Sequence, residues 1–200
     1  MAITPVAAGS TSAGIGDTTP GLPSGWAAGD YHILFVESYD EAVTAPSGWT
    51  QIGNGTGWTN GEAEVAVYGR VRDGSEGSSV TISLSGSANV LGFCAAYSGV
   101  SGPGNAGSWN NSNTLMETTP ITATAQSCII HVWAGSRTTS TTVTLPNAGD
   151  LIASVYNAGS TWFLGAENQF SVSAGTTTKR DAVPAAAMNW NAMQIELLKA

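Results

Sequence analysis

From position 64 to 72 the chain alternates. Val65, Val67 and Val71 face one way, and Glu64, Tyr68, Arg70 and Arg72 the other. A period of two marks a half-buried β-strand, because successive side chains of an extended chain point to opposite faces. Asp73-Gly74 follows at once as a turn. The same grammar recurs along the chain: a short apolar or alternating run, then Gly, Pro, Asn or Asp. It predicts many short strands joined by turns, an all-β protein. Residues 79–84 alternate with Val80, Ile82 and Leu84 inward. Residues 31–36 and 89–97 are apolar on both faces, as strands in the middle of a packed sheet are. Further strands are expected at 3–7, 50–52, 127–133, 141–145, 151–156, 162–169 and 187–198. The last of these is built from good helix formers. It is read as a strand because Met193, Ile195 and Leu197 alternate with Gln194, Glu196 and Leu198. Residues 8–21, 53–61 and 98–114 are dominated by small and polar residues and read as loops, the last two carrying Trp58 and Trp109.

Two stretches read alike. Residues 22–100 run through Leu22-Pro23, Gly29-Asp30, a strand at 33–36 and Ala45-Pro46-Ser47-Gly48. Residues 119–198 run through Thr119-Pro120, Gln126-Ser127, a strand at 129–133 and Leu145-Pro146-Asn147-Ala148-Gly149. Each then carries a Trp (Trp58, Trp162) and closes on a strand of small and apolar residues. The expected architecture is an antiparallel two-sheet sandwich, jelly-roll-like, with each sheet drawing strands from both halves. Residues 1–21 are expected to form an N-terminal arm and loop, and 22–200 a single sandwich domain. A chain of 200 residues buries enough apolar surface to need no metal or disulfide staple.

Charge narrows the function. Only 10% of residues are charged, and the net charge is −8. The six cations, Arg70, Arg72, Arg137, Lys179, Arg180 and Lys199, are scattered, which argues against nucleic acid and against an anionic membrane. Cys94 and Cys128 each sit in an apolar run and read as buried free thiols, a bridge between adjacent strands being the alternative. The N-terminus has no basic region followed by an apolar one, so cytoplasmic synthesis without export is expected.

No catalytic constellation stands out, and a non-enzymatic role is expected, with no cofactor and no metal. His32 and His131 lie within apolar strands, where satisfied or half-exposed histidines are the plain reading. No zinc-ligand spacing, nucleophile elbow or P-loop occurs. Two acidic clusters, Glu37 with Asp40 and Glu41, and Glu62 with Glu64, are the sole candidates for glycosidase chemistry; a solvated loop and strand face is the commoner meaning. Trp58 and Trp109 are the candidate binding residues. An aromatic on a Gly/Asn/Ser loop stacks on a sugar or anchors a protein interface, or else folds back over the sandwich end.

Several segments in order carry a resemblance: Pro23-Ser24-Gly25-Trp26, Ala45-Pro46-Ser47-Gly48-Trp49, Tyr68-Gly69-Arg70-Val71-Arg72-Asp73-Gly74 and Ala95-Ala96-Tyr97-Ser98-Gly99-Val100. This series resembles a β-sandwich domain of tailed-phage virion proteins, as in head decoration (cement) proteins and tail-fibre modules. Ser98 stands where that family often has arginine. The resemblance implies a virion structural protein on the outer capsid surface, and a chain of this length with its own Met fits a decoration protein better than a fibre module. Its implied partners are the major capsid protein and copies of itself, commonly as a trimer. The alternative is a carbohydrate-binding or tail-fibre adhesin module that meets a host surface glycan through Trp58 and Trp109.

Overall fold

The computed structural model describes residues 2–39, 41–55, 63–147 and 150–200. The first half holds β1 (Thr4–Ala8), β2 (Ser12–Ile15), β3 (Tyr31–Tyr39), β4 (Val43–Thr44), β5 (Thr50–Gly55), β6 (Ala63–Val71), β7 (Ser83–Leu84) and β8 (Asn89–Ser98). The second holds β9 (Val100–Asn113), β10 (Met116–Glu117), β11 (Thr122–Ala123), β12 (Ser127–Ser136), β13 (Val143–Thr144) and β14 (Leu151–Tyr156). It continues with β15 (Trp162–Val172), β16 (Gly175–Thr176), β17 (Asp181–Pro184) and β18 (Met188–Lys199). The chain is all-β, and its paired strands run antiparallel.

Two large sheets carry the molecule. One runs β1-β8-β3-β6-β5, with β2 also on β8, and the other β14-β15-β12-β18-β9. The order is the same in both once corresponding strands are matched: β1 with β9, β3 with β12, β5 with β14, β6 with β15 and β8 with β18. The sequence repeat is therefore a repeat of fold. The expected jelly-roll exchange does not occur, because each sheet is assembled within one half. Pairing nearby strands closes shorter loops and costs less chain entropy than trading strands between halves.

The facing sides meet in one core. Ile33, Phe35, Val67 and Phe93 of the first sheet pack with Ile130, Val132, Leu164 and Ile195 of the second. β5 contacts β9 and β18, and β14 contacts β8 and β2, so each outer strand of one sheet crosses the opposite edge of the other. The outer face of each sheet is covered too. The connections around β4 and β7 bring Trp49, Val80 and Ile82 onto Leu34, Val36 and Tyr68. β10, β13 and β17 close over Trp133, Phe163 and Trp190.

These outer covers change several expectations. β6 is not half-buried: Tyr68 and the adjoining Arg72, expected to face solvent, are buried, and Val71, expected to face inward, is exposed. Residues 79–84 do turn Val80, Ile82 and Leu84 inward, but form a strand only at β7, with single bridges at Ser79 and Ile82. The stretch at 141–145 is a strand only over β13. Part of the loop expected after position 7 is β2, paired along β8. The largest correction is 98–114. It is the 14-residue strand β9, paired with β18 from Met188↔Asn113 to Lys199↔Val100. Gly, Ser and Asn have weak strand preference, but an adjacent template strand overrides it. The helix-forming residues of 188–199 yield to the same tertiary demand.

Candidate functional site

The sequence-nominated residues do not converge. Trp58, Asp40 and Glu62 lie outside the described residues. Trp109 sits on the edge strand β9, not on a loop, and is 57% exposed. Its partner in register is Ala192, which belongs to the outer-face cluster, so Trp109 stands on the outside of the second sheet. Glu37 is fully buried, whereas Glu41 lies on the surface and hydrogen-bonds Ser85 Oγ, so no carboxylate pair forms between them. Burial holds the Glu37 carboxyl well above the usual range, against a smaller opposing contribution from the Gly135 backbone in the facing sheet.

The two histidines differ. His131 Nε2 lies 3.1 Å from Gln169 Oε1 and Nδ1 3.3 Å from Thr118 Oγ1, and the ring stacks on Trp133. Gln194 joins this buried network by donating to Thr118 Oγ1 and to the Thr178 carbonyl. His32 is as deeply buried, yet neither ring nitrogen has a hydrogen-bond partner, which corrects the expectation of a satisfied or half-exposed ring. It packs edge-on to Trp26, whose face also carries the Arg72 guanidinium at 3.6 Å. Arg72 is ion-paired to Glu76 at 2.8 Å. Burial lowers both histidines to about 4.

Both thiols are free and buried on different faces, Cys94 outside the first sheet and Cys128 between the sheets. Burial raises both, Cys128 to about 12, which leaves neither a nucleophile near neutrality. Among the described residues no cluster of three His, Cys, Asp or Glu side chains could hold a metal ion.

Two clefts merit comparison. One of about 480 Å³ lies on the outer cover of the first sheet. Its charges, Arg70 and Glu76, are already paired at 3.1 Å. The other, of about 450 Å³, opens at one end of the sandwich. Tyr39 at the end of β3 and Trp162 at the start of β15 meet edge to face there, 4.8 Å between centroids. Asn89 at the start of β8 and Asn189, the second residue of β18, lie on corresponding strands of the two halves and line the same cleft. Ser136 and Arg137 at the end of β12 and Ser112 near the end of β9 also line it. Arg137 pairs with no carboxylate among the described residues, and its Nε is buried without a partner. One register step inward lies Glu37 on β3. Sequence reading missed this cleft because its residues are spread over six strand ends and share no motif.

No family model, no curated protein and no solved structure matches this chain.

Proposed function

We propose that this chain is a non-enzymatic virion structural protein, a capsid decoration (cement) protein that docks on the outer head surface and stabilises it. The observation that supports this best is the edge of the second sheet. β9 is 14 residues long, contains no charged residue and presents Trp109 at its surface. Soluble proteins blunt such edges with charge, with bulges or with a cover; β9 has register slips only near Pro103, and its stretch from Ala106 to Asn113, which carries Trp109, pairs regularly with β18. An uncharged edge bearing an exposed aromatic suits a contact face, where a Trp supplies a large anchor. Ile15, 72% exposed on β2, gives the first sheet a second apolar contact point. Docking many copies multiplies weak contacts into a stable coat. In this role the major capsid protein and further copies of the chain, as a trimer, are the partners.

The test is immunogold electron microscopy on virus particles from the source culture, followed by capsid pelleting with Trp109→Ala. Gold over the heads and weaker pelleting of the variant support the proposal. Gold confined to tails supports the adhesin reading instead, and particles without gold overturn both virion roles.

The second reading, a carbohydrate-binding module, is favoured by the cleft at the sandwich end, with its aromatic pair and two amides. Trp109 stands away from that cleft and adds nothing to it.

A further inference from the structure

We propose that the cleft at the end of the sandwich binds a sugar residue bearing a carboxylate, with Arg137 as the acid-recognising group and Tyr39 as the ring platform. Small-ligand sites combine apolar or aromatic walls with a few placed polar groups. Here Trp162 is buried and buttresses Tyr39 edge-on, leaving the Tyr39 ring half in solvent. An aromatic ring held in this way offers its face to the C–H side of a pyranose. Asn89 and Asn189 each supply a carbonyl and an amide, donors and acceptors suited to hydroxyl groups.

Charge selects the ligand class. Arg137 is the one ionic side chain among the described residues lining the cleft. Among the described residues four cations have carboxylate partners, Arg70 and Arg72 with Glu76, Arg180 with Asp150 and Glu167, and Lys179 with Glu117, while Lys199, outside the cleft, bonds the Gln126 amide. In a chain of net charge −8, a guanidinium held in a cleft without such a partner among the described residues is a site for an anion. Guanidinium and carboxylate match as a planar two-bond pair. The hydroxyl-directed groups beside it make a sugar acid the better fit than an inorganic anion.

The placement of the cleft adds a second argument. Asn89 and Asn189 occupy equivalent places in the two halves, each at the beginning of the strand that flanks the central β3 or β12. The cleft therefore lies where the two repeats meet. Tyr39 and Ser136 end the corresponding central strands, so the cleft presents a ring from one half and a hydroxyl from the other. This site does not depend on a virion role.

Isothermal titration of the full chain with a galacturonate trimer and with a galactose trimer tests the proposal. The acid trimer should bind roughly tenfold tighter or more, the worth of one charge-assisted pair. Arg137→Gln should erase that preference, while Arg137→Lys keeps part of it. Tyr39→Ala should weaken both ligands, and Trp109→Ala neither. Thermal melts of each variant establish that the fold is kept. Equal affinity for the two trimers, binding of neither, or an unchanged preference in Arg137→Gln overturns the proposal and leaves the capsid reading untouched.

Discussion

Ile52 and Ile152 occupy the same irregularity in two different sheets. In the first, the register between β5 and β6 slips between Gln51 and Gly53; in the second, that between β14 and β15 slips between Leu151 and Ala153. Both side chains pack against the shared core. The correspondence extends across the molecule. Val43 pairs with Leu84, and Val143 with Pro184. Pro5 pairs with Tyr97 just before a slip, and Pro103 with Leu197 just before another. Register slips of this kind bend a strand and are structural devices in their own right. Their recurrence at matched places means that the halves share a backbone plan that their side chains barely reveal.

The halves nevertheless share one core, so they should not unfold separately. Urea denaturation followed by both Trp fluorescence and circular dichroism is expected to give one coincident transition. Phe93→Ala and Met193→Ala, at matched positions on β8 and β18 and both buried, should each cost about 2–5 kcal/mol. Two resolved transitions, with each variant shifting only one, would show independent halves.

Gly69 permits one of the tightest approaches inside the core. A Cβ at this position would stand 2.0 Å from Tyr31 Oη and 2.6 Å from its Cζ. Tyr31 is buried and pairs with Val71 on one side and Tyr97 on the other, so the ring has little room to retreat. Gly69→Ala is expected to destabilise by about 1–3 kcal/mol through overpacking. A melting temperature equal to that of the parent protein would show that the ring moves freely.

The all-β class was legible because alternation and turn residues act locally. The 65–71 and 193–197 patterns state their strands outright. β9 was not legible: nothing in its Gly, Ser and Asn residues announces a strand, and its pairing comes from β18, far along the chain. The burial of Tyr68 and Arg72 was hidden for a related reason, since connections distant in sequence cover that face. Trp109 was correctly singled out as exposed, but its partners in a site could not be read. The cleft at Tyr39 and Arg137 needs six strand ends to converge, which is a property of topology and not of any segment.

Glu37 should make the protein less stable as pH rises. Its carboxyl is held well above the usual value by burial, so the native state keeps a proton that the unfolded chain releases. The contribution is most favourable below the unfolded value of about 4.3 and declines as pH climbs toward the folded one. Glu37→Gln keeps the shape and removes the titration. It is expected to raise the urea midpoint at pH 7 and to leave it nearly unchanged at pH 4. A variant that is destabilised at pH 7 would mean that the ionised carboxylate is the native form.

The histidines should act in the opposite sense. Each is neutral in the native state, with its value lowered to about 4, first by burial. The unfolded chain takes up protons near 6.5, so the contribution is complete above that pH and is lost as pH falls from 6.5 toward 4. Between about 4.5 and 6.5 two histidines gain stability with rising pH while the one carboxyl loses it, so the parent protein should rise shallowly there and Glu37→Gln more steeply. At pH 7 the two rings should differ. His131 bridges Gln169 and Thr118; His131→Leu removes both bonds and leaves the half-buried Gln169 amide oxygen without that partner, while Thr118 keeps Gln194 and Arg180, at a cost of about 1–3 kcal/mol. Neither nitrogen of His32 has a partner, so His32→Leu gives up no hydrogen bond and should be neutral or stabilising. Urea midpoints of the two variants at pH 7 and pH 5 decide the matter. Equal losses at pH 7 would mean that His32 has a hydrogen-bonding partner in solution, and an undiminished acid sensitivity in both would place the acid response elsewhere in the chain.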